Sequence, residues 1–256
     1  MKRVFIIGLI FIMGSAFPVF AHEPAVPILL YHNVTYGYST EDASLHITPE
    51  EFDSQLTALK AGGYNIISLK QYADYVSGNA TLPDKPVIIT FDDGYSGVYN
   101  HAYPILLRHN IPATVFIITG LVGYNDTIYP HFTWEQAAEM DKSDVIDIQS
   151  HTRFHYNAEE ISLPLLVLEL RKSKFDIETR LNKKCEFLAF PYGAYDGDGL
   201  EAALAAGFTC IARTEDRGTN RKSDGIHHLN RIFVHGTWSG EELIRIIEEN
   251  NQLYID

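Results

Sequence analysis

Short, continuous apolar runs alternate along the chain with longer stretches whose apolar positions recur at helical spacing. The runs at residues 26–32, 64–67, 86–91, 112–118, 145–148, 185–190, 208–212 and 231–234 predict strands. Between the first two, Thr48-Pro49-Glu50-Glu51 supplies an N-cap, a proline at the first helical position and a capping-box glutamate. Phe52, Leu56 and Leu59 then share one helical face, and Gly62-Gly63 ends the helix. Further helices are expected over 68–76, around Tyr99 to Leu107, from Thr133-Trp134-Glu135-Gln136 onward, and over 164–181, 200–206 and 241–249. Regular alternation of strand and helix predicts a parallel sheet wrapped by helices in one α/β domain, residues 22–256. The architecture expected is a distorted or incomplete (β/α) barrel, TIM-like, of about seven or eight strands.

Polar clusters follow the predicted strands at their C-terminal ends: His32, Asp92-Asp93, His151 to His155, and Pro191-Tyr192-Gly193. That edge is where a (β/α) barrel builds its site. Two adjacent carboxylates repel, so Asp92 and Asp93 need a cation or hydrogen-bond donors to stay ionised together. His151 and His155 stand four apart and, on a helical turn, would face one cation. Such a pair alone is more often capping or surface chemistry; its place after a strand, with the acidic pair nearby, singles it out. With Asp93 added, two nitrogens and one carboxylate make a ligand set typical of a catalytic zinc that keeps a position open.

Composition narrows the partners. At 46% hydrophobic and 21% charged residues the chain belongs with ordinary globular proteins, not disordered ones. A formal net charge of −13 excludes a nucleic-acid backbone as the natural partner and favours a neutral or cationic polymer. The start reads as a secretory signal over residues 1–21: basic Met1-Lys2-Arg3, an apolar core, and a small residue at Ala21. No later stretch is expected to span a bilayer, so the mature protein is expected in the periplasm or outside the cell. Cys185 and Cys210 allow two readings, a disulfide or two buried thiols in neighbouring strands.

The motifs Thr90-Phe91-Asp92-Asp93-Gly94-Tyr95 and His151-Thr152-Arg153-Phe154-His155 resemble the first two signatures of the polysaccharide deacetylases, carbohydrate esterase family 4 with its NodB-homology domain. Pro191-Tyr192-Gly193 resembles the third. The resemblance implies a metal-dependent hydrolase that removes N-acetyl groups from N-acetylglucosamine-containing polysaccharide. It makes Asp93, His151 and His155 the ligands of a divalent metal, zinc by default, with nickel, cobalt or iron as alternatives. It makes Asp92 the general base and sets Pro191 and Tyr192 at the substrate. The leaving-group acid of the family's late Leu-x-His motif has no match there, but Leu30-Tyr31-His32 matches at the other end. That order resembles the circularly permuted deacetylases of poly-β-1,6-N-acetylglucosamine and implies His32 as general acid, with His235 as rival.

Two departures stand out: Ala189 occupies the position of the third motif's arginine, and no fourth motif is recognisable. Arg213 and Arg231 are candidate substitutes for holding Asp92. Tyr124, Tyr129, His131, Phe132, Trp134 and Trp238 can be read either as sugar-stacking faces or as packing, and His227-His228 as a solvated loop. Two other functions remain open at this stage, a carbohydrate-binding barrel without catalysis and an O-acetyl esterase or small-amide hydrolase on the same fold.

Overall fold

The computed structural model describes residues 23–37, 43–125, 128–214 and 218–252; the expected signal at residues 1–21 lies outside them. Strand β1 (Val26–Tyr31) is followed by two short strands, β2 (Asn33–Val34) and β3 (His46–Ile47), which pair with each other. Then come α1 (Pro49–Ala61), β4 (Asn65–Ile67), α2 (Leu69–Val76), β5 (Pro86–Phe91), α3 (Tyr103–His109) and β6 (Ala113–Ile117). The second half carries α4 (Trp134–Asp141), β7 (Ile146–Ser150), α5 (Leu163–Leu181), β8 (Phe187–Ala189), α6 (Gly197–Ala205) and β9 (Cys210–Ala212). Two short strands, β10 (Thr219–Asn220) and β11 (Ile232–Phe233), precede the final helix α7 (Gly240–Gln252). Thr48 caps α1 as expected, accepting from the Glu51 N–H at 3.2 Å, and Thr133 and Gln136 cap α4 reciprocally.

One nine-stranded sheet runs in the order β10-β1-β5-β6-β7-β8-β9, with β11 beside β1 and β4 beside β5. All its pairings are parallel except the antiparallel β1–β10 contact. The register shows where the barrel is distorted. Ile88 of β5 pairs with both β1 and β4, whereas Thr90 and Phe91 pair with both β1 and β6. One flank of β5 is therefore shared, with β4 at its N-terminal half and β6 at its C-terminal half. The gap between β9 and β1 is bridged by the segment 226–233. Its N-terminal part bonds to β9 through Ile211, Arg213 and Leu229, and its C-terminal part, β11, lies on β1. The sheet is thus a curled barrel with an irregular seam.

Side-chain alternation along the strands separates two cores. Val26, Ile28, Ile88, Phe116, Ala189 and Cys210 fill the barrel interior. Leu29, Tyr31, Ile89, Phe91, Val115, Ile148 and Leu188 face outward and pack under the helices with Phe52, Leu56, Leu170 and Ile247. Strands buried on both faces read as unbroken apolar runs, which is why the sequence pattern located them. Cys185 and Cys210 are both buried free thiols, so the disulfide reading is set aside.

Candidate active site

Alternation decides how each functional side chain reaches the mouth of the barrel. Asp92 continues the interior register of Ile88 and Thr90. Asp93 would fall on the outer face, but its backbone turns to a φ of 71°, in the left-handed region, and Gly94 follows at 85°. The turn brings both carboxylates to one side. His151 likewise continues the interior register of β7, directly after Ser150.

The expected helical turn over 151–155 is not present. The segment is irregular, with Thr152 and His155 at φ values of 64° and 61°, and this left-handed path, not an i,i+4 face, brings the two imidazoles to a ring separation of 4.9 Å. Glu169, a buried carboxylate on α5, holds the turn by accepting from the N–H groups of Arg153 at 3.2 Å and Phe154 at 2.7 Å. The Thr152 hydroxyl accepts from the His155 N–H at 3.2 Å, and Ser150 hydrogen-bonds Ser173 of α5 at 2.8 Å. Glu169 went unread in the sequence, although a lone acid on a face shared by Leu166, Leu170 and Ile177 was its signal.

His151 Nε2 lies 3.5 Å from Asp93 Oδ1 and 3.7 Å from Asp92 Oδ2, and His155 Nε2 lies 3.4 Å from Asp93 Oδ1. His151 Nδ1 is 2.8 Å from the Ala189 carbonyl, which can only accept, so Nδ1 carries a proton and Nε2 is the nitrogen turned toward the carboxylates. The position at which the family motif has arginine thus orients a histidine through its backbone. Burial above all, and then the neighbouring His151, holds the His155 imidazole down at about 4, against the opposing pull of Asp93, so the His155 ring is neutral around pH 7. Asp93 Oδ1 is buried without a hydrogen-bond partner among the described residues, and the ligand atoms of Asp93, His151 and His155 lie within 4.8 Å of one another. An acceptor without a donor, facing two imidazole nitrogens, fits a divalent transition cation.

Arg231 supplies the support for Asp92. Its Nη1 and Nη2 each donate to one carboxylate oxygen at 2.7 Å, a bidentate pair, while Nε donates to the Arg213 carbonyl at 3.2 Å. Burial alone would raise the Asp92 pKa; the Arg231 charge, with help from His151, outweighs it and brings the carboxyl down to about 2. Of the two candidate arginines, then, Arg231 holds the carboxylate, and Arg213 contributes its backbone while its guanidinium lies 5.9 Å over the Tyr195 ring.

Asp92, Asp93, His151 and His155 line a cavity of about 330 Å³ together with Leu30, His32, Tyr192, Thr214 and Phe233. The His32 ring lies 5.2 Å from that of Phe233; burial lowers its pKa most strongly, while Asp93 and Asp92 pull it up. His235 is not in this lining: its Nδ1 sits 2.9 Å from the Thr237 hydroxyl and its ring stacks on Trp238. Pro191 is buried, whereas Tyr192 is 68% exposed and sets its ring edge-on to His155 at 4.8 Å. Gly193 has a φ of 69°, and a Cβ there would meet the Thr214 N at 2.4 Å, so only glycine fits this turn.

The aromatic candidates divide. Tyr124, Tyr129 and His131 line a second cavity against Asp93 and His155, while Phe132 is buried in the outer core and Trp134 packs under Arg180. The His227-His228 loop is not simply solvated, because the Tyr195 hydroxyl donates to the His227 carbonyl at 2.9 Å and its ring stacks on His228.

Fold and site together define a (β/α)-barrel hydrolase with its reactive groups at the C-terminal ends of the strands. The profile of the polysaccharide deacetylases matches residues 79–211, a stretch that holds Asp92, Asp93, His151, His155 and Tyr192 but neither His32 nor Arg231. A Bacillus subtilis (strain 168) protein assigned to the same family, YxkH, is 30% identical over 227 residues, covering 88% of this chain and 77% of its own. A poly-β-1,6-N-acetyl-D-glucosamine N-deacetylase of Staphylococcus aureus (strain MRSA252) is 28% identical over 214 residues, covering 79% and 73%. Among solved structures, the Streptococcus pyogenes deacetylase PplD in complex with acetate superposes with a TM-score of 0.78 at 31% identity, over 88% of this chain and 98% of that one. IcaB from Ammonifex degensii gives 0.78 at 27%, over 87% and 96%. The chain belongs to the polysaccharide deacetylase family.

Proposed function

We propose that this protein is an exported, metal-dependent N-deacetylase of N-acetylglucosamine-containing polysaccharide. The observation that carries the reading is the meeting, in one cavity, of the Asp93, His151 and His155 cluster with an Asp92 that Arg231 keeps ionised. Those three residues would hold a divalent cation, zinc by default, and nickel, cobalt or iron suit the same donors. Bound there, the cation supplies Lewis acidity toward the acetamide carbonyl and lowers the pKa of a water beside it.

The remaining work falls to the chain's own groups. Asp92 is the general base: each oxygen keeps a second lone pair beside its bond to Arg231, and Oδ2 faces the cluster. The Tyr192 N–H, on the turn after β8, is a donor for the oxygen of the tetrahedral intermediate. His32, on the wall formed with Leu30 and Phe233, is the general acid for the leaving amine, since burial makes its protonated ring a stronger acid. The substrate class draws support from the Staphylococcus aureus relative, and acetyl removal from the acetate in the Streptococcus pyogenes neighbour. The basic and apolar start of the chain supports export.

Acetate release from β-1,6-linked and β-1,4-linked N-acetylglucosamine oligomers tests the reading. Treatment with a chelator is expected to abolish release and added zinc to restore it. Undiminished turnover by thoroughly demetallated protein would overturn the metal role, and no release from either linkage the substrate class.

A further inference from the structure

Helix α5 has two apolar faces, and the fold uses one of them. Leu166, Leu170 and Ile177 point into the outer core, with Glu169 and Ser173 buried between them. On the other side Leu165, Leu168, Lys172 and Phe175 follow one another at spacings of three and four, so they form one stripe over about three turns. Leu165 is 36%, Leu168 49% and Phe175 60% exposed, and the Lys172 ammonium lies 5.9 Å over the Phe175 ring. The spacing is that of the a and d positions of a coiled-coil heptad, with a lysine at one a position.

The stripe is complementary to its own reverse. Two exposed acids, Glu159 and Glu160, stand just before the helix, while Arg180 and Lys184 are exposed at and just past its other end. A second α5 laid antiparallel brings acid against base at both ends and opposes the two helix dipoles, whereas a parallel one would set like ends together. A two-fold axis midway between Leu168 and Lys172 then seats Leu165 on the partner's Phe175. Leu168 meets the aliphatic stem of the partner's Lys172, whose ammonium stays in water. The open apolar area of the stripe is on the order of 300–400 Å² per copy, more than half of the apolar share of a standard interface of about 800 Å² a side. An anionic lipid surface, the other natural ligand of an apolar and basic helix face, would meet Glu159 and Glu160 as well.

We propose that the outer stripe of α5 is a self-association surface, on which a second copy of this chain docks antiparallel about a two-fold axis. The pairing leaves the reactive groups free. α5 starts near the mouth of the barrel, after the turn that carries His155, and runs back to the start of β8, which lies parallel to β7. Two antiparallel copies therefore open in opposite directions. Glu169, which holds that turn, faces inward and stays outside the seam.

Sedimentation equilibrium of the purified protein between about 1 and 300 µM is expected to show its mass rising from one chain toward two. Leu168→Glu and Phe175→Glu are each expected to weaken association about 30-fold, and to leave the urea midpoint at low protein concentration unchanged because both side chains are exposed. Lys172→Leu, which removes the charge from the seam, is expected to tighten it. Oxidative crosslinking reads the orientation, with the native thiols buried. Leu165→Cys and Phe175→Cys proteins are expected to crosslink when mixed and neither with itself, since like positions lie about 15 Å apart along an antiparallel seam. A mass of one chain at every concentration overturns the proposal, as does association that both glutamate variants leave intact, or crosslinking of Leu165→Cys with itself. Protein that stays monomeric but binds vesicles of anionic phospholipid through the same residues assigns the stripe to lipid and overturns it as well.

Discussion

Arg231 has no exposed surface, and its guanidinium faces the Asp92 carboxylate on one edge and lies 5.4 Å over the Phe116 ring. A pair buried this deeply gains little net stability from existing, but breaking it strands a charge in an apolar interior. Arg231→Met is therefore expected to lose about 3–5 kcal/mol in urea denaturation, with Arg231→Lys intermediate because it keeps the charge and loses the fork. The acid side carries a second readout. The folded pKa of Asp92, about 2, lies below the ordinary value near 3.9, so the pair's contribution is full above about pH 4 and is lost as pH falls through 2. Wild type should show this acid-linked loss and Arg231→Met should lack it; matching profiles would mean the pair does not set the Asp92 pKa.

At the scale of elements, α5 organises the reactive turn. Glu169 satisfies two backbone N–H groups that nothing else reaches in the described structure, and those groups carry the chain from His151 to His155. Glu169→Ala is expected to lower zinc affinity about 10- to 100-fold, and Glu169→Gln, whose amide oxygen still accepts, to restore most of it. A competition titration against a chromophoric chelator reads both, and equal affinity in all three proteins would free the turn from α5. At the opposite end of the sheet, Lys183 clamps the end of α4 to the start of β7, donating to Asp141 at 2.5 Å and also to Asp147. Burial favours its neutral amine, yet Asp147 and Asp141 outweigh that and raise its pKa. A raised pKa means stability fully present below the ordinary lysine value of about 10.4 and lost as pH rises through the folded value. The urea midpoint of wild type is thus expected to drop in alkali more steeply than that of Lys183→Met; parallel curves would show the clamp to be energetically idle.

The whole molecule closes its barrel through an irregular segment. Beyond it, the loop at Gly236 lies so near the strand β3 that a Cβ there would meet the His46 carbonyl at 1.7 Å. This contact fastens the end of the chain over its beginning. The two thiols sit one in each core, Cys185 under the helices and Cys210 in the barrel interior, and burial pushes Cys185 up to about 12 and Cys210 higher still. Without reductant, a thiol reagent is expected to find both cysteines in urea and to react with neither at an appreciable rate in the folded protein. A titre of zero in urea would establish a disulfide and contradict the two buried free thiols.

Much of this was legible in the chain. Strands buried on both faces appear as apolar runs, helix starts are marked by Thr48 and Thr133, and adjacent carboxylates at the end of a buried strand demand compensation wherever they occur. These features depend on neighbours in sequence, so the sequence by itself determined the barrel class and the gathering of Asp92, Asp93, His151 and His155 at one edge. Three matters rested on distant contacts. The His151–His155 spacing suggested a helical turn, but left-handed backbone at Thr152 and His155, held by Glu169 of α5, has no local signature. Arg213 and Arg231 were equivalent as letters, and only the seam of the barrel, which buries one of them beside Asp92, distinguished them. The aromatic residues from Tyr124 to Trp134 divided between a cavity and the core according to which way a loop pinned to Gly94 and Ser96 turned them. Local sequence sets which groups reach the mouth of the barrel; packing between elements far apart in the chain sets their orientation, their charge and the shape of the space between them.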